Sequence, residues 1–344
     1  MLLFLNVNYT RSPSWAHALA RVDFLGNAIF IPAMVAIFFG LITGGTPGYP
    51  WNSWRIVLPL VVGGLGWIAF HVHQASPICR KPNMPPRLFR NRTSCVGFLI
   101  IFLGGVVLQA ISYFLPVYFQ AVKGASPLLS GVYFLPFALA IMPFGGLAGA
   151  FMAKTGLYKP LHWAGFALGA VGLGLFSTLT QQSSTGHWIG YQILASGRSG
   201  LIFTASLPST LAALPESEVA VATGTYSFVR SFGLVWGVTV TSVAFNGQVN
   251  ANLQTVSDPS VRDLLKDGGA YTYAAEGSRG VAALPEPARS EVLGVYVEAL
   301  RVVWLICVGL SCLGFLVTFV ERSIKLRKDQ TTEFGLVNDD AANK

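Results

Sequence analysis

Two arginines stand in stretches of chain that are otherwise apolar: Arg198, within Ala195-Ser196-Gly197-Arg198-Ser199-Gly200, and Arg230, within Phe228-Val229-Arg230-Ser231-Phe232-Gly233. At the centre of a lipid-crossing helix an arginine costs about 2.5 to 3.5 kcal/mol on insertion scales, so each must face protein or water. The chemistry open to such a group is recognition: it can orient an anion or a carbonyl of a ligand, or it can anchor helix ends by hydrogen bonding. Both readings stay open for both residues. Covalent chemistry has weaker support. Gly149 to Thr155 approaches a phosphate loop, but Ala153 replaces the glycine before Lys154 and no strand precedes it. Gly197-Arg198-Ser199-Gly200 is one residue short of a nucleophile elbow, and there is no His-Glu-x-x-His. Cys79, Cys95, Cys307 and Cys312 form no disulfide framework or metal-ligand spacing, and they read as small apolar residues, the last two buried in a span. No enzyme activity, cofactor or metal is expected.

The elements that must position these arginines are long apolar stretches, expected at about 22–43, 55–73, 94–118, 126–152, 160–180, 188–213, 219–245 and 295–320. A hydrocarbon core of about 30 Å needs roughly twenty helical residues to cross it. With 53% hydrophobic residues, 11% charged residues and a mean hydropathy of +0.56, the chain reads as an all-α polytopic membrane protein of about eight transmembrane helices. The stretches are too continuously apolar for barrel strands.

The net charge of +8 would suggest nucleic acid in a soluble chain, but its placement argues otherwise. Arg80, Lys81, Arg87, Arg90 and Arg92 follow the second span, and Arg322, Lys325, Arg327 and Lys328 follow the last. Both clusters belong on the cytoplasmic side, and no basic face with interleaved aromatics remains for nucleic acid. The expected organisation is a cytoplasmic segment 1–21, two helices in 22–73, a basic cytoplasmic loop 74–93, a six-helix bundle 94–320 with an extracellular loop 246–294, and a cytoplasmic tail 321–344. The sequons at Asn8 and Asn91 then lie inside and stay unglycosylated. Residues 1–6 are apolar but too few to span or to act as a signal, and read as the remainder of a longer chain.

Within the spans, Gly145 with Gly149, Gly165 with Gly169, and Gly233 with Gly237 recur at four-residue spacing, which lets helix backbones approach closely in lipid. Pro32, Pro59, Pro116, Pro136, Pro143 and Pro208 break local helix bonds, as is tolerated where neighbours or water satisfy the freed groups. No Asp, Glu or His lies near the expected midplane. Asp23 and Glu298 lie near span ends, Glu216 and Glu218 lie in a short cytoplasmic turn, and His71, His73 and His162 sit at span termini.

The segments RVDFLGNAIFIPAMVAIFFGLITGG, YPWNSWRIVLPLVVGG, PRLFRNRTS, FLPVYFQAVKGASPLLSGVYFLP and VAVATGTYSFVRSFGLVWGV resemble fungal transporters of the Major Facilitator Superfamily, in the fourteen-span drug and mycotoxin efflux branch. The resemblance implies a Major Facilitator-type helical bundle made of the two central helices and the six-helix carboxyl half, with the first six helices missing. It implies proton-coupled export of amphipathic small molecules such as drugs or fungal toxins, with the protons handled by the missing half. On it, Gly145, Gly146, Gly149, Lys154 and Gly156 match the cytoplasmic Gly-rich turn, Arg230 is a candidate contact between halves, and the third and sixth spans line the substrate cavity. Gln109, Tyr113, Arg198, Thr204 and Ser206 are the polar groups those spans offer. At Gly197-Arg198-Ser199-Gly200 the chain departs from the family's smoother apolar run. The implied location is the bilayer of the plasma membrane, or of a vacuole or vesicle. The alternative is a fragment that binds or regulates a full-length transporter without transporting.

Overall fold

In the computed structural model, residues 22–46, 49–79, 82–276 and 280–326 are described. The segment 1–21 with Asn8, the residues Arg80, Lys81 and Arg279, and the tail beyond 326 lie outside them. Among the described residues ten α-helices follow in order: α1 (Phe24–Thr43), α2 (Trp54–Ala75), α3 (Arg92–Val117), α4 (Pro127–Thr155), α5 (Lys159–Phe176), α6 (Thr185–Ala212), α7 (Val219–Asn252), α8 (Pro259–Leu265), α9 (Gly269–Ala275) and α10 (Ala288–Val317). Among the described residues the only β-bridge is an isolated one between Thr46 and Tyr49.

Local chemistry sets the helix ends. Asp23, Ser53, Asn91 and Ser126 accept backbone N–H groups at the starts of α1 to α4. Pro127 and Pro160 sit in first turns, where their missing N–H costs nothing. Gly156, at φ +70°, closes α4 by donating to the Met152 carbonyl at 2.8 Å. Near the end of α3, Pro116 precedes a π-helical turn at Tyr118–Val122.

Among the described residues six helices are long and apolar enough to cross a membrane: α1, α2, α3 with its π turn, α4, α7 and α10. The sequence reading expected eight. α5 and α6 fall short by hydropathy because α5 opens on Lys159, Pro160 and His162, and α6 carries Arg198 among serines and glycines. They belong to the bundle all the same, since α6 packs on α3, α4 and α5, and α5 also packs on α10. Polar side chains aimed at protein rather than lipid remove a helix from an apolarity criterion without removing it from the membrane.

At the centre stands α3, packed against α6, α7 and α10, while α4 lies along the outside against α6. α1 and α2 form a hairpin that meets the bundle through α1 and α7. The expected loop 246–294 is largely helical. α7 continues to Asn252, α10 begins at Ala288, and α8 and α9 lie between them as a cap. The cap is held by Tyr296 Oη donating to the Ala270 carbonyl at 2.5 Å, by Ser257 Oγ donating to Glu291 at 2.6 Å, and by the Asn250 amide on Asp267 at 3.2 Å. These helices outrun the apolar stretches because their ends bury against each other instead of lipid.

Candidate functional site

The candidate cavity residues separate onto different seams. Gln109 and Tyr113 lie one turn apart on α3 and share a face. Gln109 is half-buried, its Cβ 3.0 Å from where a Cβ on Gly237 of α7 would stand. Tyr113 is 40% exposed, and its ring packs on Phe114 and on Tyr271 of α9, with centroids 5.3 and 5.6 Å apart. Thr204 points elsewhere, with Oγ1 3.1 Å from a Cβ built on Gly145, in the α4–α6 seam. Ser206 is buried between α6 and α7, its hydroxyl 2.7 Å from Tyr226 Oη.

Arg198 is fully buried and faces no open cavity. Its Nη2 donates to the Leu103 carbonyl of α3 at 3.1 Å, its guanidinium lies 5.4 Å above the Phe166 ring, and its stem fills the space left by Gly169 of α5. Nε and Nη1 have no protein partner. That geometry favours the anchoring reading: the arginine braces α3, α5 and α6, and its glycine seat is why α5 carries Gly169. Arg230 is exposed on α7, beside the stacked rings of Phe228 and Phe232 at 5.9 Å.

The Gly-rich turn also divides. Gly145 packs against α6, Gly146 and Gly149 have nothing within 4 Å of an added Cβ, Lys154 is exposed in the last turn of α4, and Gly156 supplies the left-handed cap.

Three clusters were beyond sequence reasoning because their members are far apart in the chain. At the α5 start, His162 Nδ1 lies 2.8 Å from Glu321 Oε2, both side chains wholly buried. Around them Lys159 Nζ donates to the Glu321 carbonyl at 2.6 Å, Tyr158 Oη to the Arg322 carbonyl at 2.6 Å, and the Arg322 N–H to Thr93 Oγ1 at 3.3 Å. Burial raises the Tyr158 phenol above its ordinary range, so it remains a donor. Residues 321–326 thus form a strap across the α4–α5 turn, and the one available signal was a glutamate directly after the final apolar run. The strap also explains the second sequon: Asn91 caps α3 by accepting from the Thr93 N–H at 2.9 Å, and Thr93 is buried under Arg322.

The second cluster is at the α1 N-terminus, where Asp23 accepts from Gly26 N, His73 and Gln74 at 2.8, 3.1 and 2.5 Å, and from Cys79 at 3.4 Å. Cys79 is therefore a polar partner and not an inert apolar residue, and Cys312 is exposed rather than buried. Asp23, His73 and Cys79 bring oxygen, nitrogen and sulfur within 4.8 Å of one another. Each is already engaged in the carboxylate's hydrogen bonds. In the third, Arg87 of the basic loop pairs with Glu218 before α7 at 2.8 Å, which places the two segments at the same end of the bundle.

Polar groups thus sit in the seams of the bundle, and no catalytic constellation is assembled among the described residues. Residues 24–238 match the family described as the Major Facilitator Superfamily. The chain is 46% identical over 336 residues to the MFS efflux transporter aclA of Aspergillus oryzae, covering 98% of this chain and 60% of that protein. It is 40% identical over 344 residues to the MFS-type efflux pump LUC4 of a Fusarium species, covering 100% and 61%, and 43% identical over 336 residues to the efflux pump FUS6 of Gibberella fujikuroi, covering 97% and 60%. The chain therefore spans about three-fifths of the length of the curated relatives it matches. Matched over most of its bundle, this all-helical integral membrane protein belongs to the Major Facilitator Superfamily.

Proposed function

We propose that the chain is the carboxyl part of a proton-coupled exporter of amphipathic small molecules, drug-like or toxin-like, in the plasma membrane. The observation that carries this reading is uncovered polar and small-residue surface: Gly131, Gly146 and Gly149 of α4 meet open space, and on α7 Arg230 is exposed. Small residues on a lipid-soluble helix suit close packing by another helix, and the guanidinium suits a contact across such a seam. The relatives, which are longer, carry efflux in their names. Gln109 and Tyr113 supply the polar and aromatic contacts of the cargo path, while Arg198 positions α3 and α6 from behind. Among the described residues the acids of the apolar helices, Glu291 and Glu298, lie towards the start of α10, so proton handling falls to the part of the transporter not represented here.

The test is export of an amphipathic dye from proteoliposomes under a pH gradient. The 344-residue chain alone is expected to be inert, and to gain transport when co-reconstituted with the first six helices of a relative. Gradient-driven export by the chain alone would refute the division of labour.

A further inference from the structure

Between the α1–α2 hairpin, the segment 82–84 and α7 lies a cavity of about 420 Å3, within the size range of small-molecule sites. Its floor is aromatic. The Phe30 ring lies 4.8 Å from Phe70 and 5.4 Å from Phe228, tilted or edge-on to each. At the mouth the Asn83 amide donates to Asn27 Oδ1 at 3.1 Å. Among the described residues, the other ends of these two amides, Asn27 Nδ2 and Asn83 Oδ1, carry no hydrogen bond. None of the described lining residues is charged.

The walls are held in place before any ligand arrives. Gln74 donates to Asp23 and accepts from the Met84 N–H at 3.1 Å, so the acid cluster at the head of α1 fixes the segment 82–84. Thr225 Oγ1 reaches the Asn83 carbonyl at 3.4 Å and ties the same segment to α7. Of the described charges, Asp23 is held by its donors and Arg87 by Glu218.

We propose that this cavity binds a neutral amphipathic aromatic molecule, its rings against Phe30, Phe70 and Phe228 and a hydrogen-bonding end, such as an amide or carbonyl, at Asn27 and Asn83. The described lining offers aromatic rings and carboxamides, and a fixed pair of carboxamides beside clustered rings suits an aromatic amide better than a lipid tail. The site is built by the hairpin and α7. It deepens the export reading by giving the cargo a stopping place at the end of the bundle where the basic loop lies.

The experiment is photolabelling of the 344-residue chain in nanodiscs with para-benzoylbenzamide, with adducts mapped by peptide mass spectrometry. Adducts are expected on peptides holding Phe30, Met84 or Phe228. Gly224 lines the cavity and has nothing within 4 Å of an added Cβ, so Gly224→Phe fills the space without a backbone clash. Labelling is expected to fall about tenfold or more in that variant, equivalent to about 1.4 kcal/mol of binding. Asn83→Leu, on the exposed segment, is expected to erase the preference for para-benzoylbenzamide over plain benzophenone. Adducts confined to other peptides, labelling that persists in Gly224→Phe, or an unchanged preference in Asn83→Leu would overturn the proposal. So would displacement of the probe by a benzophenone-bearing phosphatidylcholine. Because labelling does not need transport, a chain inert in proteoliposomes yet labelled as expected leaves this site standing, and the converse leaves the export reading standing.

Discussion

Glycines of α7 and α4 recur at the same four-residue spacing, yet they live in different surroundings. A Cβ on Gly233 would stand 2.4 Å from the Phe102 carbonyl oxygen, and one on Gly237 2.4 Å from that of Val106, so α3 and α7 touch backbone to backbone. On α4 the pair at that spacing divides: a Cβ on Gly145 would stand 3.1 Å from Thr204 Oγ1 of α6, whereas Gly149, like the neighbouring Gly146, has nothing within 4 Å. The most apolar window of α3 is 72% buried and that of α4 is 11% buried, although both are apolar enough to span a membrane. Small-residue spacing therefore marks a surface suited to close approach, and only the fold decides whether a partner is already there. The closed side is braced by polar groups as well, Arg198 in its middle and His162 with Glu321 at its end, whereas the described side chains of the α4 flank offer the exposed Lys154 at its last turn.

Breaking the closed side at its buried pair has the largest expected effect. Glu321→Leu strands a buried imidazole and is expected to cost about 3 to 5 kcal/mol, seen as a large drop in thermal midpoint in detergent. His162→Leu with Glu321→Leu together should recover most of that loss. Gly237→Leu comes next, at about 1 to 3 kcal/mol or more through overpacking against the Val106 backbone, and should appear as an aggregated peak in fluorescence-detected size exclusion. Gly149→Ala sharpens the contrast by changing sign with context. In this chain it should stabilise α4 by up to about 1 kcal/mol of helix propensity, while in a full-length relative the same change should lower export, measured as dye efflux.

The smallest effect is local and pH-dependent. Asp258 caps α8, and the Ser260 hydroxyl and N–H hold its carboxyl below the ordinary 3.8. A carboxyl lowered on folding stabilises above its unfolded value and loses that contribution as pH falls through the folded one. Hydrogen exchange in 259–265 should thus rise only below about pH 3.8, with the helices of the closed side unaffected.

Much of the helical frame was legible in the sequence. The expected 22–43 is α1 at Phe24–Thr43, and 126–152 is α4 at Pro127–Thr155, because long apolar runs and Ser, Asp or Pro at their starts are local signals. The ends of α7 and α10 were misjudged, since Val249 and Val292 pack within the cap and carry no lipid-length apolar run. The candidate site was less legible. Gln109 and Tyr113 share a face because they are four apart on one helix. Nothing in the spacing disclosed that Arg198 would turn towards Leu103 and Gly169, that Thr204 and Ser206 would address different helices, or that Asp23 would meet Gln74 across 51 residues.

The strap has a consequence for biogenesis. The partner of His162 is synthesised 159 residues later, and Glu321 follows the last long helix. While the ribosome is still at work, the head of α5 holds an imidazole with no carboxylate to meet it, so this rim of the bundle is finished only once translation has passed residue 326. Chains released early, at a premature stop just after α10, would keep every long helix among the described residues and still expose that defect to the quality-control machinery of the membrane.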